Sequence, residues 1–171
     1  MKIKFNNIRD LSDARYAAAV MADYIGFRIG SEDDLPASAI QEIIGWCAGP
    51  AVILEIANDT DIDKINALLN TIPINGIELS EVAFSKLQLH LNNEQLIWIV
   101  NTEKSGNYIS HSVNLNSKES HICSIEPSLE MAKNLQGKDP WGISINCFHS
   151  ASTGIKDFSV WNDFFEALEI L

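Results

Sequence analysis

A regular alternation of short apolar runs with amphipathic stretches limits the fold of this chain more than any other feature. Strand-like runs fall at residues 2–5, 24–29, 51–57, 76–79 and 96–101, and helical patterns fill the gaps at 11–21, 37–47, 61–70 and 81–90. In the third helical stretch Ile62, Ile65, Leu68 and Leu69 recur at the spacing of one helix face. Strand–helix–strand repetition makes neighbouring strands parallel, because each helix carries the chain back across the sheet before the next strand begins. The prolines agree with these boundaries. Pro36 and Pro127 stand at helix starts, where the missing N–H costs nothing, and Pro50, Pro73 and Pro140 precede strands.

The alternation fails between Asn101 and Glu126. Two apolar-alternating runs, 108–115 and 121–125, are separated only by turn-like segments. A parallel crossover needs about a dozen residues or more, so these connections cannot supply two of them, whereas short loops suit hairpins. The region is either an irregular loop or a reversed strand, and the short connections favour the second. Residues 108–115 are therefore expected to run antiparallel to their neighbours, with two helices deleted. Beyond them, 128–135 reads as a helix, 141–146 as the last strand and 158–170 as a closing helix.

At 171 residues the chain suits a single domain with a substantial core. It is short for eight strand–helix units, which rarely occupy fewer than about 200 residues. With 23 acidic against 12 basic residues the net charge is −11. No basic patch is available to neutralise phosphates, which argues against nucleic acid or an anionic membrane as partner. No apolar run approaches the length of a membrane span, and the first residues lack the apolar core of a signal segment. Cys47, Cys123 and Cys147 are odd in number and lack metal-type spacing, so reduced thiols in the cytoplasm are expected. His90, His111, His121 and His149 share no ligand spacing either. Neither a metal nor a cofactor is expected.

Residues 1–27, with Lys4-Phe5-Asn6-Asn7-Ile8 and Ala22-Asp23-Tyr24-Ile25-Gly26-Phe27, and 142–157, GISINCFHSASTGIKD, resemble the phosphoribosylanthranilate isomerase family. ILEIAND and GIELSE are similar to its third and fourth strands, while residues 103–118 have no counterpart. The resemblance implies a shortened (β/α)8 barrel. The family isomerises an aminoribose phosphate in tryptophan biosynthesis, but its working residues are replaced here. Its first strand reads K-I-C-G-I, the cysteine acting as general base; Asn6 stands at that position, and an amide cannot take up a proton near neutral pH. The family's arginine after the second strand falls near Asp33, among the acids Glu32, Asp33 and Asp34. Its general acid, an aspartate ending the sixth strand, has no counterpart, since no aspartate lies between Ile74 and Gln136. At the phosphate glycines stand Cys123-Ser124 and Phe148.

Barrel enzymes work at the C-terminal ends of their strands. Polar residues remain there and could line a pocket for a small neutral or cationic ligand: Asn7, Arg28, Ser80, Asn101, Glu126, Asn146 and His149. They could equally be the ordinary polarity of a loop-rich rim. Glu55 and Glu78 lie within apolar strands, where two close carboxylates form an acid–base pair or else an ion pair with Lys4 or Arg28. Cys147, near His149, is a weak nucleophile candidate. The leading expectation is a non-catalytic ligand-binding or protein-interaction module, with a homodimer through 108–125 where deleted helices bare the sheet. The alternatives are an isomerase or another small-molecule enzyme with a rearranged site.

Overall fold

Polar and apolar residues alternate along β1 (Lys2–Asn6), and this alternation decides which side of the sheet becomes the core. Ile3 and Phe5 are buried against helices, whereas Lys4 and Asn6 occupy the opposite face. The computed structural model describes residues 1–30, 34–57, 60–87, 96–101, 108–109, 111–112, 122–138, 140–147 and 156–171. After β1 come α1 (Leu11–Ala19), β2 (Tyr24–Ile29), α2 (Ala37–Trp46), β3 (Ala51–Ile56), α3 (Ile62–Thr71), β4 (Gly76–Ser80), α4 (Glu81–Leu87) and β5 (Ile97–Asn101). Two short segments, β6 (Tyr108–Ile109) and β7 (His111–Ser112), precede β8 (Ile122–Ile125), α5 (Leu129–Leu135), β9 (Gly142–Asn146) and α6 (Ser159–Ala167).

The strands form one sheet in the order β6-β8-β9-β1-β2-β3-β4-β5-β7. Seven of them, from β8 round to β5, are parallel. At the ends, β6 runs antiparallel to β8 and β7 antiparallel to β5. The sheet curls into a barrel-like shape, with β6 and β7 at its two edges. The strand expected at 108–115 is thus reversed; residues 113–115 lie outside the described part. Six helices are present among the described residues, none between β5 and β8, so the fold is a (β/α)8 barrel short of two helices.

The main core lies between sheet and helices. Phe5 packs against Tyr16, Trp161 and Phe165 at ring-centroid distances of 6.0, 5.3 and 6.1 Å, and Tyr16 stacks on Phe158 at 4.3 Å. These contacts fasten α6 and α1 to the first strand, each buried aromatic contributing roughly 1.5–3 kcal/mol. Local signals set the helix starts: Asp10 caps α1 by accepting from the Asp13 N–H at 3.0 Å, and Ser128 caps α5 through Met131 N–H at 3.1 Å. Helix α1 stops short of Met21, whose φ of +54° lies in the left-handed region. Among the described residues no helix is long and apolar enough to cross a membrane.

Candidate functional site

The barrel interior carries charge. Register places Arg28 opposite Glu55, Glu55 opposite Glu78, and Asn6 opposite Asn146, so all five project from the same face as Lys4. Lys4 Nζ lies 2.6 Å from Glu55 Oε1 on β3 and 2.6 Å from Glu78 Oε2 on β4, and it also donates to Asn6 Oδ1. Adjacent strands are about 4.8 Å apart, so a lysine on β1 reaches β4 only because the sheet curls around it. Lys4 is 1% exposed, against 13% and 14% for the Glu55 and Glu78 side chains.

Gly26 makes this arrangement possible. A Cβ at that position would come within 1.8 Å of Glu55 Oε1 and 3.0 Å of Lys4 Nζ. The bare backbone of β2 is the space that the ion pair occupies. Asn7 completes it from the other side. Its φ of +55° is a left-handed conformation that asparagine tolerates, and the turn directs its N–H to Glu55 Oε2 at 3.0 Å.

One ammonium between two carboxylates leaves one negative charge in the lumen. Burial works to lower the Lys4 pKa, but the charges of Glu55 and Glu78 outweigh it and hold the ammonium above its usual range. Burial raises the Glu55 carboxyl, Lys4 opposes, and the neighbouring Glu78 charge adds to the rise, with a net upward shift. The lysine therefore keeps its proton.

Above the triad is a cavity of about 230 Å³ whose lining includes Asn6, Arg28, Glu55, Glu78, Asn101 and Asn146. The structure brings together these six of the residues singled out in the sequence. Arg28 is half exposed and turns toward Asp34, Nε to Oδ1 at 3.7 Å. Asn101 Oδ1 is shielded from solvent and has no hydrogen-bond partner among the described residues. Ser80 Oγ accepts from Ala83 N–H at 3.2 Å and so caps α4. Glu126 belongs to a different, larger cavity of about 730 Å³ among Ser124, Pro127, Met131, Asp157 and Trp161, with Asn146 shared between the two. Cys147 is 3% exposed and packs in the helix–sheet core, and burial pushes its thiol pKa up. His149, Asp33 and Phe148 lie outside the described residues. Among the described residues no cluster of histidine, cysteine or carboxylates could hold a metal ion.

A second buried lysine ties the barrel shut from outside. Lys156 Nζ meets Asp13 Oδ2 at 2.6 Å and Asp10 Oδ2 at 3.2 Å, joining the approach to α6 to the start of α1. Asp13 is fully buried and also accepts from Arg9 N–H at 3.0 Å. Nothing in the spacing of Lys156 and Asp13 along the chain advertised this contact. Lys4 and Gly26 did leave a trace: a lysine on the polar side of an alternating strand, and a glycine at strand centre.

Seven parallel strands, an antiparallel segment at each edge, and polar side chains gathered at the strands' C-terminal ends define a reduced, curled (β/α)8-like fold. The same fold is found in solved phosphoribosylanthranilate isomerases. The Thermus thermophilus structure matches 99% of this chain and 98% of its own at TM-score 0.69 and 14% identity. TrpF of Jonesia denitrificans matches 99% and 97% at TM-score 0.66 and 15% identity. The Thermotoga maritima structure, of monomers generated from a dimeric isomerase, matches 100% of both chains at TM-score 0.65 and 13% identity. At such identities the likeness is one of fold. No protein-family model matches the sequence, and no curated protein sequence does.

Proposed function

We propose that this chain is a non-catalytic descendant of the phosphoribosylanthranilate isomerase scaffold that binds a small ligand in the mouth of its barrel. One observation carries the reading. Asn6, at the position where the family resemblance expects the basic cysteine, is held by Lys4, and that same lysine engages both nearby carboxylates. A general base needs a free lone pair of suitable pKa within reach of the substrate. Asn6 has no such basicity, and Glu55 and Glu78 are tied to one ammonium. Arg28, the cation nearest the rim among the described residues, faces Asp34, so a phosphate ester would meet more acceptors than donors among them.

The decisive experiment is incubation with phosphoribosylanthranilate while the loss of its fluorescence is followed. No decay above the uncatalysed rate is expected; turnover would overturn the proposal. A second reading, an enzyme of rearranged mechanism, draws support from the raised Glu55 carboxyl beside a cavity. It requires Glu55→Gln or Glu78→Gln to abolish a measurable turnover. Self-association through residues 108–125 accompanies the main proposal, and the dimeric origin described for the Thermotoga maritima structure supports it. Light scattering at dilute concentration tests it, a strict monomer counting against it.

A further inference from the structure

We infer that the ligand of this mouth is a small molecule carrying a protonated amine, seated between Glu78 of β4 and Asn101 of β5. The inference rests on the ligand-binding reading above and adds the chemistry of the occupant. It follows from matching hydrogen-bond donors to acceptors around the cavity.

An ammonium has three N–H donors and no acceptor. Those of Lys4 go to Glu55 Oε1, Glu78 Oε2 and Asn6 Oδ1, so Lys4 has none left for a ligand. Glu55 Oε2 is taken by the Asn7 N–H. Arg28 is directed at Asp34. Taken together, Lys4, Arg28, Glu55, Glu78 and Asp34 sum to one negative charge.

Among the described residues, acceptors are what remain. Glu78 lines the cavity and meets Lys4 through Oε2, so its second carboxylate oxygen adds acceptor capacity there. Asn101 Oδ1 is shut off from solvent without a partner, a costly state for a polar atom unless something donates to it. Register puts Ser80 opposite Asn101, one alternation beyond Glu78 on the same face, so the two acceptors sit on neighbouring strands at the same rim. A cation with several N–H groups satisfies both and cancels the residual charge. A phosphate adds to that charge and satisfies neither acceptor.

Size narrows the class. At about 230 Å³ the cavity lies below the roughly 300–1,000 Å³ of common ligand pockets, which suits a small occupant.

The test titrates the full chain with 1,4-diaminobutane, with 1,4-butanediol as the uncharged isostere, and with ribose 5-phosphate. Heat of binding and amide chemical-shift changes are the readouts. The diamine is expected to bind, shifting the Asn101 and Glu78 amides, while the diol binds at least about tenfold more weakly, as loss of charge-assisted hydrogen bonds requires. Glu78→Gln should weaken the diamine about tenfold or more. Asn101→Ala, which leaves every Lys4 contact in place and so keeps the fold, should also weaken it, whereas Glu166→Gln on the exposed face of α6 should not. Tighter binding of the diol or of ribose 5-phosphate would overturn the amine assignment while leaving a ligand-binding mouth intact. Absence of binding by all three would remove the assignment and its foundation together. Diamine binding unaffected by both rim variants would also refute it.

Discussion

Replacing Gly26 by alanine tests whether the lumen is built around the Lys4–Glu55 pair. The new methyl would lie 1.8 Å from Glu55 Oε1 and 2.5 Å from its Cδ, far inside van der Waals contact, so the carboxylate must leave. Leaving breaks its 2.6 Å contact with Lys4 and its 3.0 Å bond from the Asn7 N–H. A hydrogen bond to a charged group contributes about 1.5–3 kcal/mol and an ordinary one about 1 kcal/mol. Against this, alanine restricts the unfolded chain and returns about 0.5–1 kcal/mol. Lys4 keeps Glu78 and Asn6, so the net loss comes to about 2–3 kcal/mol. For a domain of this size that lowers Tm by about 4–12 °C. Urea denaturation of Gly26→Ala, Glu55→Ala and the double variant gives the coupling directly. With Glu55 shortened the obstruction is gone, so Gly26→Ala should then be neutral or slightly stabilising. A cost below about 0.5 kcal/mol in the native background, or the same cost in both backgrounds, would refute the reasoning.

Lys4→Met should cost about 3–5 kcal/mol near neutral pH, because it leaves two buried carboxylates facing each other. Without the ammonium, burial and mutual repulsion make ionising both carboxyls costlier in the folded chain than in the unfolded one. The variant should therefore be closest to native stability at mildly acid pH and lose ground as pH increases, and equal losses in urea melts at about pH 5 and about pH 8 would contradict this. Lys156 is held above its ordinary 10.5 when folded: burial works against it, but bonding to Asp13 and Asp10 prevails. The stability it supplies is complete below about 10.5 and falls as pH rises past that value. Lys156→Met should remove this alkaline loss, and with Asp13 left bare it should be rescued in part by Asp13→Asn. Cys147 should resist a thiol reagent in the native protein while the partly exposed Cys47 and Cys123 react, as mass mapping of the adducts would show.

How far the sequence led can be judged residue by residue. The strand at Tyr24–Ile29 and the starts of α1 and α2 were legible because capping residues, prolines and apolar periodicity are local signals. The reversed segment was legible because chain length alone forbids two crossovers between β5 and β8. The face on which Glu55 stands was not, since Ile53 on its own face is as apolar as Leu54 and Ile56 on the other, whereas Glu78 sits in an alternating run with Ile77 and Leu79 opposite it.

Local patterning, then, determined a parallel strand–helix repeat and its one interruption, because hydrogen-bond periodicity and turn chemistry act over a few residues. Tertiary structure alone decided that Lys4 would be surrounded by Glu55 and Glu78, 51 and 74 residues further along the chain. Sheet curvature, barrel register and the gap left by one glycine bring those groups within hydrogen-bond range. None of the three is encoded near any one of them.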